Sequence, residues 1–375
     1  MKVSVSQQHL AHGLSVVSRA VSPRSTLPVL ANVLVATDEG RLRLSATNLE
    51  LGITCWIPAE ISEEGSITVP ARTVVDLVGM LPNDKVLLYL DSRTQTLNVK
   101  SGSSVTDIKG IDAQEFPPIP VPELSEGIEL NVSDFKEMIQ QVAFSASNDE
   151  ARPVLQGVLL NMNGNEVVMA ATDGFRISIR KSILSSVSTR PINIIIPARA
   201  LNELARIATD GNQTISMVVP QGRGQVIFHT KDAELVSQLI DGNFPDYKAI
   251  VPRSYKTRTI TSCAGLLKAC KQAEIIAREG NNVIRLNIVG NPDQIGTVEV
   301  SAQSEETGFN ENKVDATVDG TDVVVAFNVR FLREVLEVVK TPNIALETNT
   351  NATPGVIRPL GDDNYVHVIM PMHLG

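Results

Sequence analysis

The strongest constraint in this sequence is that one stretch of it occurs twice. Residues 25–53 and 150–178 both contain Pro-Val-Leu, an apolar run, a turn with glycine, a second apolar run and then Ala-Thr-Asn or Ala-Thr-Asp. Further anchors recur in the same order, at an offset that grows slowly from 125 to 128 residues: Pro-Ala-Arg at 70–72 and 197–199, and Phe-Pro at 116–117 and 244–245. Self-similarity at this spacing indicates a duplicated domain with small insertions.

A third, fainter copy follows the first two. Three segments fall where the first helix, the Ala-Thr-Asp segment and the Pro-Ala-Arg helix of a further repeat are expected: 259–279, 299–308 and 323–339. The sequence therefore predicts three domains, at residues 1–122, 123–252 and 253–375. Proline-rich segments are the expected connectors between them, at residues 115–127 and 244–255.

Each copy repeats one order of predicted elements. A short strand precedes an amphipathic helix, whose apolar stripe in the second copy is Phe135, Met138, Ile139, Val142 and Ala143. Paired strands around glycine turns follow, then a strand that runs into the Pro-Ala-Arg helix, then further hairpins. About two helices and six to eight strands per domain predict an α+β fold, with the helices on one face of antiparallel sheets.

Composition excludes some classes of protein. The sequence has no run of 18 apolar residues and begins without the apolar stretch of a signal peptide, so we expect no membrane partner. The three cysteines, Cys55, Cys263 and Cys270, have no metal-like spacing. We expect them to be packed thiols in a reducing cytoplasm.

The net charge of −9 argues at first against nucleic-acid binding, because phosphate neutralisation requires lysine and arginine. Aromatic residues make up only 4% of the chain, so few bases can stack on side chains. The six predicted helical stretches, however, carry eleven basic and eight acidic residues, so the acidic surplus lies elsewhere. A bias of this size is equally typical of an ordinary solvated helix face.

Several motifs give the chain a specific resemblance. The threefold repeat, the Pro-Ala-Arg helix starts, "ATDGFRIS", "DGNFPDY" and the terminal "YVHVIMPMHL" make it resemble, over its whole length, the bacterial DNA polymerase III beta subunits, or sliding clamps. The resemblance implies a non-enzymatic processivity factor without a cofactor. It also implies a head-to-tail homodimer of six domains in a ring, with sheets outside, two helices per domain inside, and double-stranded DNA encircled without regard to its sequence.

The expected domain size is consistent with such a ring. A domain of about 125 residues has an equivalent sphere radius of roughly 18 Å. Three such spheres in a closed ring leave a hole of only about 3 Å radius, whereas six leave a hole about 36 Å wide. Duplex DNA is roughly 20 Å thick, so two chains are needed to enclose it. Enclosure also answers the objection from charge, since a protein held by topology needs no tight phosphate contacts.

The resemblance further implies a pocket, between the second and third domains, for short clamp-binding peptides. The expected partners are the DNA polymerase III alpha subunit, the clamp loader, translesion polymerases, mismatch-repair proteins and ligase. The implied pocket positions are Leu155, Thr172, Gly174, Phe175, Arg176, Ile177, Pro245, Ile250, Val368, Met370, Pro371, Met372 and His373. Flexible methionines suit a surface that accepts many partners. The alternative is that the methionine-rich tail simply closes the last sheet.

Two pocket positions depart from the usual pattern of the family. Phe175 precedes Arg176 where many members have a His–Arg pair, and His373 stands where a basic residue often precedes the final leucine. The rim of the pocket is therefore expected to be more apolar and less cationic. Gly375 lies beyond the usual terminal leucine.

For the dimer, the resemblance places the edge of the first domain, around Thr106 and Ile108, against a third-domain helix with Ile275 and Ile276. The alternative is that both helix isoleucines belong to their own core. Arg24 matches a loop arginine that touches phosphate in the family, and the other candidates for DNA contact are Arg19, Arg72, Arg199, Lys268, Lys271 and Arg278. Those at the repeated helix starts equally suit contacts with the sheet.

Other classes of protein fit the sequence less well. An enzyme would need more than Asp173 near Arg176, or His9 three residues before His12, since neither pair has a third partner identifiable in the sequence. The segment "QGRGQ" is expected to be a hairpin turn and not a phosphate loop. The better alternative is a repeat scaffold that docks peptides without binding DNA.

Overall fold

A computed structural model describes residues 1–22, 25–121, 123, 127–184, 188, 190–208, 214–279, 281–291 and 295–373. The chain forms two compact units, Met1–Ser133 with Arg199–Leu239 and Asp134–Ala198 with Ile240–Gly375. The units cut across the repeats, because strands from successive repeats pair within one sheet.

The first repeat begins with a strand and a capped helix, as the pattern predicts. The Ser6 side chain accepts the N–H of His9, which satisfies one of the free donors at the start of the helix. The repeated Pro-Val-Leu forms a 3-10 turn, Pro28–Ala31. As far as it is described, this repeat contains β1 (Lys2–Ser6), α1 (Gln7–Val17), β2 (Asn32–Asp38), β3 (Arg41–Thr47), β4 (Leu51–Pro58), β5 (Glu60–Glu63), β6 (Ser66–Pro70), α2 (Ala71–Met80), β7 (Lys85–Asp91), β8 (Thr96–Ser101) and β9 (Ser104–Lys109).

The second repeat has the same order of elements apart from β5, which has no described counterpart, and it has another 3-10 turn at its Pro-Val-Leu, Pro153–Gln156. Its Pro-Ala-Arg again starts a helix at the alanine, as in the first repeat. Its described elements are β10 (Ile128–Asn131), α3 (Val132–Val142), β11 (Gly157–Asn163), β12 (Glu166–Thr172), β13 (Arg176–Ile183), β14 (Ile192–Pro197), α4 (Ala198–Ile207), β15 (Thr214–Val218), β16 (Gln225–His229), β17 (Ala233–Gln238) and the single turn α5 (Tyr247–Ile250).

The third repeat keeps the order but merges two strands into one. The first half of its longest strand pairs with the preceding strand, as β4 pairs with β3, and the second half pairs with the first strand of the repeat, as β5 pairs with β1. The described elements are β18 (Thr257–Ser262), α6 (Cys263–Ala277), β19 (Val283–Val289), β20 (Gly296–Ser304), β21 (Gly308–Gly320), β22 (Val323–Asn328), α7 (Val329–Val338), β23 (Asn343–Thr348), β24 (Gly355–Pro359) and β25 (Tyr365–Ile369).

The first unit contains two antiparallel sheets, in the orders β5-β1-β7-β8-β9 and β10-β15-β16-β17-β4-β3-β2-β6. In the larger sheet, β17 of the second repeat pairs with β4 of the first, from Ala233↔Cys55 to Ser237↔Leu51. Helix α1 packs on β3 and β4. A side chain at Gly13 would meet Leu44 at 2.8 Å, so glycine permits this close approach of helix to sheet.

The second unit contains one antiparallel sheet of twelve strands, in the order β14-β11-β12-β13-β25-β24-β23-β18-β21-β20-β19-β22. Strand β25 of the third repeat pairs with β13 of the second, from Arg176↔Ile369 to Arg180↔Tyr365. Helices α6 and α7 pack together and bury Cys270, Leu332 and Leu336 against this sheet. The fold is therefore α+β with three tandem copies of one domain, as the sequence predicts, although the first copy has nine described strands where at most eight were expected.

Candidate functional site

The second unit contains a cavity of about 130 Å³ with a mostly apolar lining. Ten of the thirteen positions implied for peptide binding line it: Leu155, Thr172, Gly174, Phe175, Arg176, Ile177, Pro245, Ile250, Val368 and Met370. They come from four parts of the fold, namely the Pro153–Gln156 turn, the loop between β12 and β13 with the start of β13, the segment that ends in α5, and β25 with the residue that follows it.

Hydrogen bonds within the β12–β13 loop fix one wall of this cavity. The Thr172 hydroxyl donates to the Arg176 carbonyl at 2.6 Å and accepts the Gly174 N–H at 3.1 Å. Asp173 Oδ1 accepts the N–H groups of Phe175 and Arg176, at 2.9 and 3.0 Å. Gly174 has a φ of +94°, which glycine adopts without steric cost. The motif Thr-Asp-Gly therefore encodes a rigid loop.

The rim of the cavity exposes two large apolar side chains. Phe175 is 60% exposed and Met370 is 42% exposed. The Met370 N–H donates to the Phe175 carbonyl at 2.8 Å, so the strand that carries one residue holds the loop that carries the other. Phe175 thus places an exposed aromatic ring at the rim of the cavity.

The guanidinium of Arg176 is occupied by the protein itself. It is 8% exposed, its Nε donates to Asp173 at 3.0 Å, and its Nη1 forms an ion pair with Glu334 of α7. Its Nη2 donates to the Phe144 carbonyl at 2.9 Å, and its Cζ lies 4.3 Å from the centre of the Phe331 ring. Arg176 therefore contributes to the wall of the cavity and positions its loop, while its charge is already paired.

The remaining three implied pocket residues, Pro371, Met372 and His373, are not part of this lining. The Met372 N–H donates to the Ala326 carbonyl at 2.8 Å and forms an isolated bridge with it. Ala326 belongs to β22, so the tail is tied to the edge of the twelve-stranded sheet at this point. The two methionines of the tail therefore lie in different places: Met370 lines the cavity, and Met372 lies at the edge of the sheet.

A buried polar network lies behind the cavity. Ser178 Oγ lies 2.8 Å from Ser145 Oγ and 2.7 Å from His367 Nδ1, and the Tyr365 hydroxyl donates to the Gln141 carbonyl at 2.9 Å. Burial, together with the positive charge of Arg176, lowers the pKa of His367 well below its ordinary value. Burial also raises the pKa of Tyr365. Both groups are therefore neutral near pH 7.

The candidate DNA-contacting residues of the first unit differ in exposure and in whether their charge is already paired. The Arg72 side chain is almost fully exposed on α2, with Asp76 one turn later at 3.8 Å. Arg199 is exposed on α4, and its Nη2 donates to the Arg19 carbonyl at 3.2 Å. Arg19 itself pairs with Glu203 at 3.5 Å. Arg72 and Arg199 thus remain available to solvent, whereas Arg19 is partly neutralised. Arg24 lies outside the described residues.

The candidates in the second unit lie on α6 or directly after it. Lys268 is exposed, and no ion pair holds it within the part of the chain that is described. Lys271 pairs with Glu337 of α7 at 3.0 Å. Arg278 is exposed, and its Nε lies 3.4 Å from the Ile275 carbonyl that accepts from it. Lys268 and Arg278 are therefore the freer cations of this helix.

The residues expected at the dimer interface differ in their exposure. Ile108 of β9 is buried in the core of the first unit. The exposed apolar side chain on this strand is Val105, at 60%, beside the half-buried Thr106. On α6, Ile275 is 56% exposed, whereas Ile276 packs against the core of the second unit. The alternative that the isoleucines are core residues thus holds for Ile276 and not for Ile275.

The described residues contain no group of three or more His, Cys, Asp or Glu side chains arranged for a metal ion. The three cysteines are buried and unpaired with each other, and burial raises the pKa of Cys55 to about 11 and of Cys270 to about 12. None of the helices within these ranges combines the length and apolar character needed to span a bilayer.

Three copies of one α+β domain, joined copy to copy by paired strands and carrying an apolar cavity beside one joint, define the clamp class of repeat proteins. Models of the DNA polymerase III beta subunit match the chain with its N-terminal domain at residues 1–120, its central domain at 129–246 and its C-terminal domain at 248–373. The chain belongs to the DNA polymerase III beta subunit family.

Individual relatives match over the full length. The curated Beta sliding clamp of Synechococcus elongatus is 34% identical over 378 residues, which covers 100% of both chains. The crystal structure of the DNA polymerase sliding clamp from Bacillus subtilis superposes with a TM-score of 0.92 at 28% identity, again with full coverage of both chains. A DnaN sliding clamp from Pseudomonas aeruginosa, crystallised bound to griselimycin, has a TM-score of 0.91 at 28% identity and full coverage.

Sequence reasoning missed the residues that hold Arg176. Glu334 and Phe331 lie on α7, and Glu334 is 158 residues further along the chain. The spacing of residues in α7 and in the β12–β13 loop does not indicate that Arg176 contacts Glu334 and Phe331. The repeat gives only an indirect signal, since Leu51 occupies the position of Arg176 in the first copy and the charge is therefore specific to the second.

Proposed function

We propose that this protein is a DNA sliding clamp and processivity factor, a closed homodimeric ring that encircles double-stranded DNA and tethers replication and repair proteins to it. The observation that carries the proposal is the pattern of free strand edges left by the repeat. The last strand of the second repeat, β17, pairs with β4, and the last strand of the third, β25, pairs with β13.

The third joint of this kind has no partner within the described chain. The last strand of the first repeat, β9, has β8 on one side and a free edge on the other. The first half of β21, equivalent to β4 and β13, pairs with β20 alone among the described strands. A second copy, arranged head to tail, satisfies both edges, since β9 of each chain then pairs with β21 of the other. Two joints of this kind close the ring.

The cavity of the second unit supports the proposal that partners bind as short peptides. It combines the exposed Phe175 and Met370 with a rigid loop, and such apolar grooves with flexible methionines accept varied partner sequences. The partners proposed are the DNA polymerase III alpha subunit, the clamp loader, translesion polymerases, mismatch-repair proteins and ligase. Because Arg176 is already paired, recognition rests on apolar contact and on backbone hydrogen bonds.

For DNA we propose weak, sequence-independent contacts from the exposed cations Arg72, Arg199, Lys268 and Arg278. Few strong phosphate contacts are needed, because enclosure holds the duplex and tight contacts would hinder sliding. We also infer a non-enzymatic role without a cofactor, in the cytoplasm, where the three unpaired thiols stay reduced.

Two measurements test the function. The mass in solution should be about twice the 40.5 kDa of one chain. After loading onto nicked circular DNA, the protein should stay bound through gel filtration and be lost when the circle is cut once. A monomer in dilute buffer, or retention that is equal on linear and circular DNA, contradicts a clamp and favours a peptide-docking scaffold or an ordinary DNA-binding protein.

A further inference from the structure

The first unit contains a second cavity, larger than that of the second unit, at about 300 Å³. Its floor is the face of the eight-stranded sheet opposite to α1, because successive side chains of β3 and β4 point to opposite faces. Leu44 meets α1 on one face, and its neighbours Arg43 and Ser45 line the cavity on the other. Part of the wall comes from residues 113–121, including Phe116 and Ile119.

The repeat supplies an internal comparison for this floor. Four cross-strand neighbours form a row in each copy, with the same register. In the first unit the row is Leu34, Ser45, Thr54 and Glu234, and in the second unit it is Leu159, Ala170, Ile179 and Val366. Three apolar positions of one copy are thus polar or charged in the other.

The second unit fills the corresponding space. Ile240, Phe244, Tyr247 and Val251, from the segment that follows β17, pack against the apolar row. In the first unit the segment of residues 113–121 covers the sheet but leaves the cavity over the polar row. The polar residues therefore coincide with a space that the apolar copy lacks.

Among the described residues, the Glu234 carboxylate of this cavity has a histidine beside it but no lysine or arginine. Arg43 pairs with Asp38 at 3.4 Å, and Asp38 also accepts the Trp56 indole N–H at 2.8 Å, so these two charges offset each other. Glu234 is only 6% exposed, and no lysine or arginine of the described residues lies within ion-pair distance of it. Its nearest ionisable contact is His229 Nδ1, at 3.3 Å.

Glu234 thus has the His229 imidazole as its one ionisable partner among the described residues. A full cation placed beside a buried carboxylate is attracted strongly, because the surrounding dielectric constant is low. The Arg43 Nε–H is also buried without an acceptor in the described structure. The hydroxyls of Ser45 and Thr54, 3.0 Å apart, lie next to Glu234 in the cross-strand row, and Arg43 precedes Ser45 by two residues on the same strand. Phe116 adds an aromatic wall, and aromatic faces attract organic cations, whereas the Trp56 ring already has the Arg41 guanidinium 5.6 Å from its centre.

We propose that this cavity binds a small organic cation, with an ammonium or guanidinium group on Glu234. The volume is at the lower end of the range for small-molecule sites, roughly 300–1,000 Å³. The site lies wholly in the first unit and uses none of the residues of the peptide cavity. It is therefore independent of the proposed clamp function.

The experiment measures binding of argininamide to the full chain by isothermal titration calorimetry. Both compounds are used with an acetylated α-amino group, so that argininamide carries only its guanidinium charge and citrulline amide, of nearly the same shape, carries no charge. We expect argininamide to bind the unchanged protein and citrulline amide to bind about tenfold more weakly or not at all, as expected for loss of one charged hydrogen bond. Equal affinity for the two compounds, or no heat of binding up to about 10 mM argininamide, a concentration that detects even millimolar dissociation constants, overturns the proposal.

Two variants locate the site. Glu234→Gln keeps the shape and should weaken argininamide about tenfold. The double variant Ser45→Ala with Thr54→Ile copies the second unit's Ala170 and Ile179 and should abolish binding while it keeps the native circular dichroism spectrum. If Glu234→Gln does not fold, the double variant alone decides. Unchanged affinity in a folded variant overturns the site. An N-acetyl-Gly-Arg-Gly-amide peptide that binds as well as argininamide would assign it instead to a protein side chain.

Discussion

The buried Arg176 and the partly exposed Glu334 form an ion pair that joins the β12–β13 loop of the second repeat to helix α7 of the third. Asp173, the Phe144 carbonyl and the Phe331 ring complete the surroundings of the guanidinium. The pair fixes the loop that carries Phe175 at the rim of the cavity. It is therefore a structural joint between repeats as well as a wall of the site.

Replacing Arg176 by Met should destabilise the protein by about 1.5–3 kcal/mol, because Asp173, Glu334 and the Phe144 carbonyl lose hydrogen bonds to a charged group. Urea unfolding, followed by circular dichroism, measures the loss. The matched control is Arg152→Met, which removes a solvent-exposed pair with Asp149 at 3.0 Å and should have a much smaller effect. Equal losses for the two variants would contradict a structural role for the Arg176–Glu334 pair.

Stability should fall as the pH is lowered from about 6.5, the ordinary pKa of histidine, towards 5, because His367 stays neutral in the folded protein and takes a proton when unfolded. The expected slope from this group is about 1.4 kcal/mol per pH unit. The charged groups around it are Arg176, which opposes protonation, and the carboxylates Asp173 and Glu334 that pair with Arg176.

The pH dependence is checked by urea unfolding at pH 7.0, 6.0 and 5.0. His367→Gln should remove most of the slope between these values, at some cost in stability from the lost contact with Ser178. A control variant, His9→Gln, changes a histidine at the start of α1 and should keep the slope. A slope that survives in His367→Gln would assign it to other groups.

The peptide cavity can be tested with side chains that line it. Leu155→Ala combined with Met370→Ala should weaken binding of a peptide from the DNA polymerase III alpha subunit by at least tenfold, because two apolar contacts are lost at about 1.4 kcal/mol or more in total. Fluorescence polarisation of a labelled peptide measures the change. Met372→Ala is the matched control, since Met372 lies outside the lining, and its affinity should stay within about twofold of the unchanged protein. A larger loss of affinity in Met372→Ala than in the double variant would instead place the binding site at the tail.

The dimer can be tested at the free edge of β9. Val105→Lys, alone or with Ile275→Arg, should shift the protein to monomers, because charge then replaces apolar surface at the proposed joint. Sedimentation velocity at micromolar concentration distinguishes the two states. Leu87→Lys places the same charge at an exposed position on β7, inside the sheet order, and should remain dimeric. Dimers in Val105→Lys and monomers in Leu87→Lys would refute this edge.

The repeat made most of the fold predictable from sequence. Pro-Val-Leu forms the same 3-10 turn in the first two copies, and both Pro-Ala-Arg segments start a helix. These are local features, set by proline geometry and by side-chain caps. The merging of two strands into β21 was not predictable, because only pairing with β18 and β20 shows that the chain stays extended through this stretch.

The candidate site was predictable in outline but not in its chemistry. The resemblance supplied the positions, and ten of them share one cavity. It did not show that the charge of Arg176 is paired with Glu334 of α7, or that Met372 forms a bridge with Ala326. It also did not show that the Ile108 side chain is buried. Each of these depends on a contact between residues distant in sequence. The polar row beneath the first unit's cavity escaped for the same reason, since Ser45, Thr54 and Glu234 become neighbours only through strand pairing.

Joining β17 to β4 and β25 to β13 has a consequence for how such a chain can change over time. Hydrogen bonds between main-chain amides and carbonyls hold these two pairs of strands together. The strength of the pairing therefore depends little on which side chains the strands carry. Substitutions can therefore change the surface of one copy without weakening its strand pairing with the next copy. In the second copy, packed apolar side chains cover the sheet at this place. In the first copy the same place is a cavity whose lining includes the carboxylate of Glu234.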